Sequence, residues 1–299
     1  MKIALIGATS KTGRYVVAAL CDRGHEVIGI ARNPSRLAAI DPRARKAQAD
    51  IEDAAGLRAA LDGAECVASL AHARHAAAVL AALPASCRRV VLTGSLRKFT
   101  RLPDPAADAV REAEALFLAS GRAGVMLHPS MIYGAPEERN VNRILAFLSR
   151  FPPWLPVPVP LPGGGRHTVQ PVFVDDMVAA MVAAIERIGA DGAPIAVAGP
   201  RPITYRHMVE ACAAALGRKV IVVPVPLGLL AAALSIPRGI GLKVPFNAEE
   251  LTRATENKSF EIKDMVERLG VRPRAFEDGL TTALSRRRSA KLDAIRSAD

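Results

Sequence analysis

Aromatic residues are scarce in this 299-residue chain, at 4 %, with one Trp and three Tyr. A surface that stacks nucleic-acid bases needs more of them. Nucleic acid is therefore not an expected partner, even though the formal net charge is +11. Lysines and arginines are spread along the whole chain. The one dense run, Arg286, Arg287 and Arg288 followed by Lys291 and Arg296, reads as a solvated basic tail over 285–299. Weak contact with a membrane surface or a partner is the alternative for that tail. The four cysteines, Cys21, Cys66, Cys87 and Cys212, include no Cys-x-x-Cys pair and outline neither a disulfide framework nor a zinc site. No secretory pattern opens the chain, because the apolar run Ile3 to Ile6 is short and ends in a turn, so a cytoplasmic location is expected. Long charge-free stretches are few. Val220 to Pro237 reaches 18 residues, the lower limit for a spanning helix, but Pro224, Pro226, Gly228 and Pro237 interrupt it. A strand followed by a short apolar helix is expected there, and no transmembrane segment.

What is present is a folded composition, half apolar and 23 % charged. In the first half, short apolar runs alternate with helical patterns. Strands are expected at Lys2 to Gly7, Glu26 to Ala31, Ala47 to Asp50, Cys66 to Ala71, Arg89 to Thr93 and Val125 to His128. Helices are expected between them, at Gly13 to Arg23, Ser35 to Ile40, Ala54 to Leu61, His75 to Leu83 and Ala106 to Ser120. Such alternation implies crossover connections and a parallel sheet covered on both faces. After Gly134 the pattern breaks. Phe151 to Gly165 holds six prolines and three glycines and is expected to be a long loop. Further helices are expected at Asp175 to Ile188 and Tyr205 to Leu216, with a strand at Ile195 to Ala198. The fold class is α/β, a Rossmann-like doubly wound parallel sheet with a smaller C-terminal substrate-side region. The expected division is 1–134 plus 169–190 for nucleotide binding and 135–168 plus 191–284 for the substrate side.

Gly7-Ala8-Thr9-Ser10-Lys11-Thr12-Gly13 joins the first strand to the first helix. Gly7 permits a tight turn and Gly13 close packing of helix on strand. The helix N-terminus offers free N–H groups and a positive dipole end to a pyrophosphate. The second strand ends without the carboxylate that holds the ribose 2′-hydroxyl of NAD. It offers Arg32 and Arg36 instead, which suit the 2′-phosphate of NADP, with Lys11 adding to the charge match. Asp50 and Ile51 follow the third strand. They suit either the adenine ring or, for Asp50, a helix N-cap.

These residues resemble the short-chain dehydrogenase/reductase superfamily in its extended and atypical branches, the NAD-dependent epimerase/dehydratase group. The resemblance covers nearly the whole chain. Gly7 to Gly13 is similar to that family's glycine loop, with Ser10 in place of the middle glycine. Gln48 to Asp53 is similar to its adenine segment, and Val91-Leu92-Thr93-Gly94-Ser95 to the strand carrying its active-site Ser. His128-Pro129-Ser130-Met131-Ile132-Tyr133-Gly134 resembles its Arg-Pro-x-x-x-Tyr-Gly motif with His128 replacing Arg, and Gln170 to Asp176 its His-Val-Asp-Asp segment. The resemblance implies cofactor contacts from Gly7, Thr9, Ser10, Lys11, Thr12, Gly13, Asp50, Ile51, Ala71, His72, Thr93, Pro129 and Met131. It also implies a catalytic Tyr with a Lys four residues on. That pair is missing: four residues beyond Tyr15, Tyr133 and Tyr205 stand Ala19, Glu137 and Val209. The helix that should carry it keeps Ala113-Glu114 but has Ala and Val near the Tyr and Lys positions.

A positioned acid or base supplies about 10²–10⁴-fold in rate. A chain without the pair is either a different catalyst or none. Replacement candidates are Ser95, Arg97 and Lys98, after the fifth strand, with His72 as a further proton donor. His72-x-x-His75 has metal-ligand spacing but no acidic or Cys partner nearby, so no metal is expected. Arg139, Asn140 and Arg166 are candidates for a small-molecule substrate such as a nucleotide-sugar. The expected function is that of an NADP-dependent oxidoreductase or epimerase-like enzyme. The alternative is a non-catalytic NADP-binding redox sensor or complex-associated protein.

Overall fold

The computed structural model describes residues 1–187, 192–229 and 255–296. The chain forms two compact units. The first comprises Met1–Ser130, Val174–Val197 and Glu261–Arg272, and the second Met131–Phe173, Ala198–Phe260 and Pro273–Asp299.

In the first unit β1 (Lys2–Ile6), β2 (Glu26–Ala31), β3 (Arg45–Gln48), β4 (Cys66–Ser69), β5 (Arg89–Thr93) and β6 (Gly124–Pro129) join the strand Ile195–Val197. The seven lie in the order Ile195–Val197, β6, β5, β4, β1, β2, β3, and every pairing is parallel. The alternation of strands and helices therefore gave the Rossmann-like sheet it implied. Helices α1 (Gly13–Asp22), α2 (Pro34–Ala38), α3 (Ala54–Leu61), α4 (Ala76–Ala81) and α5 (Pro105–Ala119) make the crossovers. Val90, Val91 and Leu92 are all buried, as a doubly covered strand requires. One face of the sheet packs Ile6, Val67, Leu92 and Met126 against Leu57 of α3, Val79 of α4 and Phe117 of α5. Local chemistry sets the helix starts. Asn33, Asp53 and Asp104 each cap a helix by accepting from its first backbone N–H groups, and Pro34 and Pro105 sit in the first turn. The chain leaves β3 for β4 on the opposite side of β1. That switch point opens a crevice at the carboxyl ends of the strands, beside the glycine loop.

The sequence expectations shift at several ends. The third strand runs over 45–48 rather than 47–50, so Asp50 lies beyond it. The helix expected from His75 opens as a 3-10 turn, Ala73–His75, before α4. Ile195–Val197 and the helix Lys263–Glu267 belong to the first unit, because the strand pairs with β6 and the helix packs on that strand.

The second unit holds short pairings. Ile132–Tyr133 runs parallel to Val172–Phe173, and Thr168–Val169 antiparallel to Ile203–Thr204. Tyr133 is buried, with its ring 5.3 Å from that of Phe173 and 4.9 Å from that of Phe276. Its hydroxyl donates to the Phe276 carbonyl at 3.1 Å. The residues expected as a basic tail are helical through Arg296. Among the described residues no helix is long and apolar enough to cross a membrane. Val220–Val225 is a strand, as expected, while 230–237 lies outside the described residues.

The expected loop at 151–165 needs correction. Val157–Pro162 is a strand paired in parallel with Val220–Val225. Its prolines explain how. In a parallel pair alternate residues point their N–H groups at the partner. Val157 N donates to Lys219 O at 2.9 Å, so residues 157, 159 and 161 face the ladder and Pro158, Pro160 and Pro162 face away. Pro224 in the partner strand falls on an outward position by the same register. Prolines spaced by two occupy only the sites where no donor is needed. Val159→Pro should therefore cost about 1–3 kcal/mol through a lost ladder bond, and Pro160→Ala well under that. Paired urea denaturation curves check this, and equal losses would refute the register argument.

Candidate functional site

The glycine loop is built by its own backbone. Gly7 takes φ +79°, and its N–H donates to Ile30 O at 3.0 Å. Ser10 N donates back to Gly7 O at 2.9 Å, closing the turn. α1 then starts so close to β1 that a Cβ on Gly13 would lie 2.2 Å from Gly7 O. Only glycine fits there. Ser10, at the family's middle-glycine position, accepts from Gly13 N at 2.9 Å through its hydroxyl. Thr12 is buried, Thr9 and Ser10 are half-buried, and Lys11 is exposed. Ala71 follows β4 and lies against Gly7.

At the end of β2, Arg32 holds its guanidinium in solvent, 75 % exposed, 3.8 Å from an Asp50 carboxylate oxygen. Arg36 is exposed on α2. Asp50 is not the cap of α3. Asp53 takes that role, while Asp50 accepts from Glu52 N in a local turn and keeps a second oxygen toward Arg32. Ile51 beside it is half-buried. His72 caps the 3-10 turn by accepting from Arg74 N. Partial burial, with Arg74, His75 and Arg97 nearby, holds its ring below the ordinary histidine value. Thr93, the last residue of β5, has a buried hydroxyl with no hydrogen-bond partner among the described residues. Pro129 ends β6.

These residues fit a dinucleotide. A side chain at Gly13 would fill the space between the loop and α1, Arg32 and Arg36 stand exposed after β2 with Arg32 paired to Asp50, and the Thr93 hydroxyl is buried without a partner among the described residues at the sheet's carboxyl edge.

The catalytic candidates share the end of β5. Ser95 Oγ accepts from Arg97 N at 3.1 Å, capping a short 3-10 turn. The Arg97 guanidinium pairs with Asp104. Burial raises the Asp104 carboxyl, but the Arg97 hydrogen bond and charge outweigh it and hold it below the usual range. Lys98 pairs with Glu114 of α5. The helix α5 has Ala and Val near the positions where the resemblance implies Tyr and Lys, and its Val110 is buried in the apolar core.

Two functional-site neighbours escaped the sequence reading, Glu114 and His128 acting together. His128 is 1 % exposed. Its Nδ1 accepts from Ser95 N at 3.1 Å, so the neutral ring carries its proton on Nε2, which lies 2.5 Å from Glu114 Oε2 but out of hydrogen-bond alignment with it. The replaced Arg of the motif was the available signal. Burial first, then the Lys98 charge, pushes the His128 pKa down to about 4 against the opposing pull of Glu114. Lys98 and His128 line a cleft of about 420 Å³ together with Leu96, Phe99, Lys263 and Asp264.

The substrate candidates and Met131 lie in the second unit. Arg139 is exposed at the start of the helix Asn140–Leu148, where Asn140 N donates to Glu138. Arg166 is exposed after the Gly163–Gly165 turn.

Residues 7–145 match a family described as NAD(P)H-binding. Uncharacterized proteins of Mycobacterium tuberculosis and Mycobacterium bovis are 32 % identical over 238 residues, covering 76 % of this chain and 24 % of theirs. The match thus spans about a quarter of those relatives' length. Among solved structures, UDP-glucose 4-epimerase of Thermotoga maritima with UDP-glucose has a TM-score of 0.74 at 16 % identity, over 97 % of this chain and 99 % of that one. The NADPH-dependent quinone oxidoreductase of Escherichia coli complexed with NADPH has 0.72 at 21 %, over 94 % and 99 %. MoeE5 with UDP-glucose and NAD has 0.71 at 17 %, over 97 % and 100 %. At these identities the solved structures establish the fold.

Gly13→Ala should weaken NADPH binding at least about tenfold, read by fluorescence titration with the fold checked by circular dichroism. Unchanged affinity would mean the loop holds no pyrophosphate. The low His128 pKa also has a consequence for stability. Below pH 6.5 the unfolded chain protonates this ring and the folded chain does not, until about pH 4. Stability conferred by the neutral ring is thus full above pH 6.5 and falls through that window, by up to about 3 kcal/mol. His128→Asn should flatten this part of the pH–stability curve; an unchanged slope assigns the loss to other groups.

Proposed function

We propose that the chain, a Rossmann-like protein whose residues 7–145 match an NAD(P)H-binding family, is an NADP-dependent oxidoreductase or epimerase-like enzyme. Its substrate is a small carbonyl or hydroxyl compound, with nucleotide-sugars and quinones as the first classes to screen. The observation that carries the cofactor choice is the end of β2, where Arg32 is exposed and no carboxylate stands in the sequence to hold a 2′-hydroxyl. Asp50, 3.8 Å away, pairs with that guanidinium without neutralising it fully in solvent. Lys11 and Arg36 add positive charge to the same phosphate-binding role.

The bound cofactor supplies a hydride at nicotinamide C4. The chain's own residues would hold it: the Gly7–Gly13 loop would take the pyrophosphate, Ile51 would lie at the adenine, and the Thr93 hydroxyl and Pro129 would lie at the nicotinamide end. Reduction of a carbonyl also consumes one proton at the substrate oxygen. With Ala and Val near the family's catalytic positions, the Lys98 ammonium stabilises the developing negative charge and gives its proton to the substrate oxygen, recovering one from water, while the Ser95 hydroxyl hydrogen-bonds that oxygen. Both cations are already held by a carboxylate, Arg97 by Asp104 and Lys98 by Glu114, but only Lys98 lines the cleft, so Arg97 is the weaker candidate. Arg139, Asn140 and Arg166 serve the substrate in this reading, Arg166 by pairing with a diphosphate.

One observation favours the second reading, a non-catalytic NADP-binding sensor or complex-associated protein. Each cation near the end of β5 is already engaged by a carboxylate, as in a structural site. Titration with NADPH and NADH, repeated for Arg32→Ala, tests the shared premise. NADPH should bind more tightly, and the substitution should remove about 10–100-fold of that preference. Equal affinities, or no binding at millimolar nucleotide, would overturn the NADP assignment. Turnover of carbonyl or quinone probes by the NADPH-bound protein then separates enzyme from sensor.

A further inference from the structure

Three elements of the first unit meet at one carboxylate. Glu114 on α5 pairs through Oε2 with the Lys98 ammonium from the 3-10 turn and stands 2.5 Å from His128 Nε2 at the end of β6. His128 in turn accepts from Ser95 N. The ring reaches that N–H only because residue 94 is glycine, since a Cβ there would sit 2.4 Å from His128 Nδ1. The turn 95–98 is therefore gripped at both ends, at Ser95 by His128 and at Lys98 by Glu114. Glu114 is common to both grips.

The location gives this a purpose. Glu114 lies four residues beyond Val110, which is near the position where the resemblance expects a Lys, or about 6 Å along the helix. The ammonium missing from α5 is thus delivered to the same helix from the β5–α5 connection. Its side chain is 12 % exposed and borders the cleft, so a small molecule can reach it. Surface ion pairs of long side chains hold geometry poorly. This pair is partly buried, and its carboxylate also stands 2.5 Å from the buried His128 Nε2, a charge contact that lacks hydrogen-bond geometry.

We propose that Glu114 is a positioning residue: it holds the Lys98 ammonium directly, and the Ser95 turn through His128, in the geometry that acts on the substrate oxygen. The proposal rests on the NADP-dependent reading above.

The test uses the full chain and the variants Glu114→Gln, Glu114→Asp, Lys98→Met and His128→Asn. One arm is spectroscopic and needs no turnover: the His128 side-chain ¹⁵N signals and the Ser95 amide shift. Glu114→Gln should move both, and His128→Asn should move Ser95. The other arm is NADPH-dependent reduction of menadione. Glu114→Gln should leave NADPH affinity within about twofold and KM little changed while lowering kcat about 10²-fold, the cost of misplacing a reacting group. Glu114→Asp should recover part of it. Should Glu114→Gln not fold, Glu114→Asp, which keeps the charge and retracts the oxygen by one methylene, reports the same displacement. Unmoved Ser95 and His128 signals in Glu114→Gln would overturn the proposal. So would wild-type kcat in Glu114→Gln while Lys98→Met abolishes turnover. If wild-type protein binds NADPH but reduces no probe, the enzymatic reading fails by itself, and the spectroscopic arm still decides whether Glu114 sets the turn.

Discussion

The distance between Gly13 and the Gly7 carbonyl governs the nucleotide-binding unit. A missing Cβ lets α1 start against the end of β1, and that contact fixes where the helix N-terminus points. The bond from Gly7 N to Ile30 O ties the same turn to β2. The strand carrying Arg32 and the loop carrying Lys11 are thereby set against one another. Everything read as cofactor recognition follows from this one close approach, because the donors of a helix N-terminus act only over its first turn.

The sheet was legible because its signals are local. Apolar runs covered on both faces, such as Val90 to Leu92, alternate with helices whose caps stand in the sequence as Asn33, Asp53 and Asp104. The strand at 157–162 was not legible, for a physical reason. Proline is counted against strands since it removes a donor, yet at every second residue of a strand with one partner the donor is unused. Pairing with 220–225 decides which reading holds, and pairing is not a local property. The third strand's two-residue displacement has a similar cause. Its register is set by β2, with Ile28 opposite Arg45, and not by its own polar sequence.

The site was legible in unequal parts. Chain order alone places the glycine loop after a strand and Arg32 at the end of the next one. Asp50 needed coordinates, because whether it or Asp53 caps α3 depends on backbone angles. The grip on Ser95 and Lys98 needed them more. Lys98, Glu114 and His128 are separated by 16 and 14 residues, and nothing in their spacing brings them together. What the sequence offered was a substitution, His128 where the resembling motif has Arg, beside a retained Glu114.

That substitution changes the electrostatics in one direction. An arginine facing Glu114 would be charged at any pH and would neutralise the carboxylate by itself. A histidine buried beside a lysine stays neutral, as the depressed His128 pKa reflects. Glu114 therefore still needs a cation, and Lys98 supplies it. The loss of one charge on β6 and the recruitment of another from the β5–α5 connection are two sides of one balance. The carboxylate that a full-length arginine would have satisfied is left able to hold an amine at the edge of the cleft, on a helix that has no catalytic amine of its own.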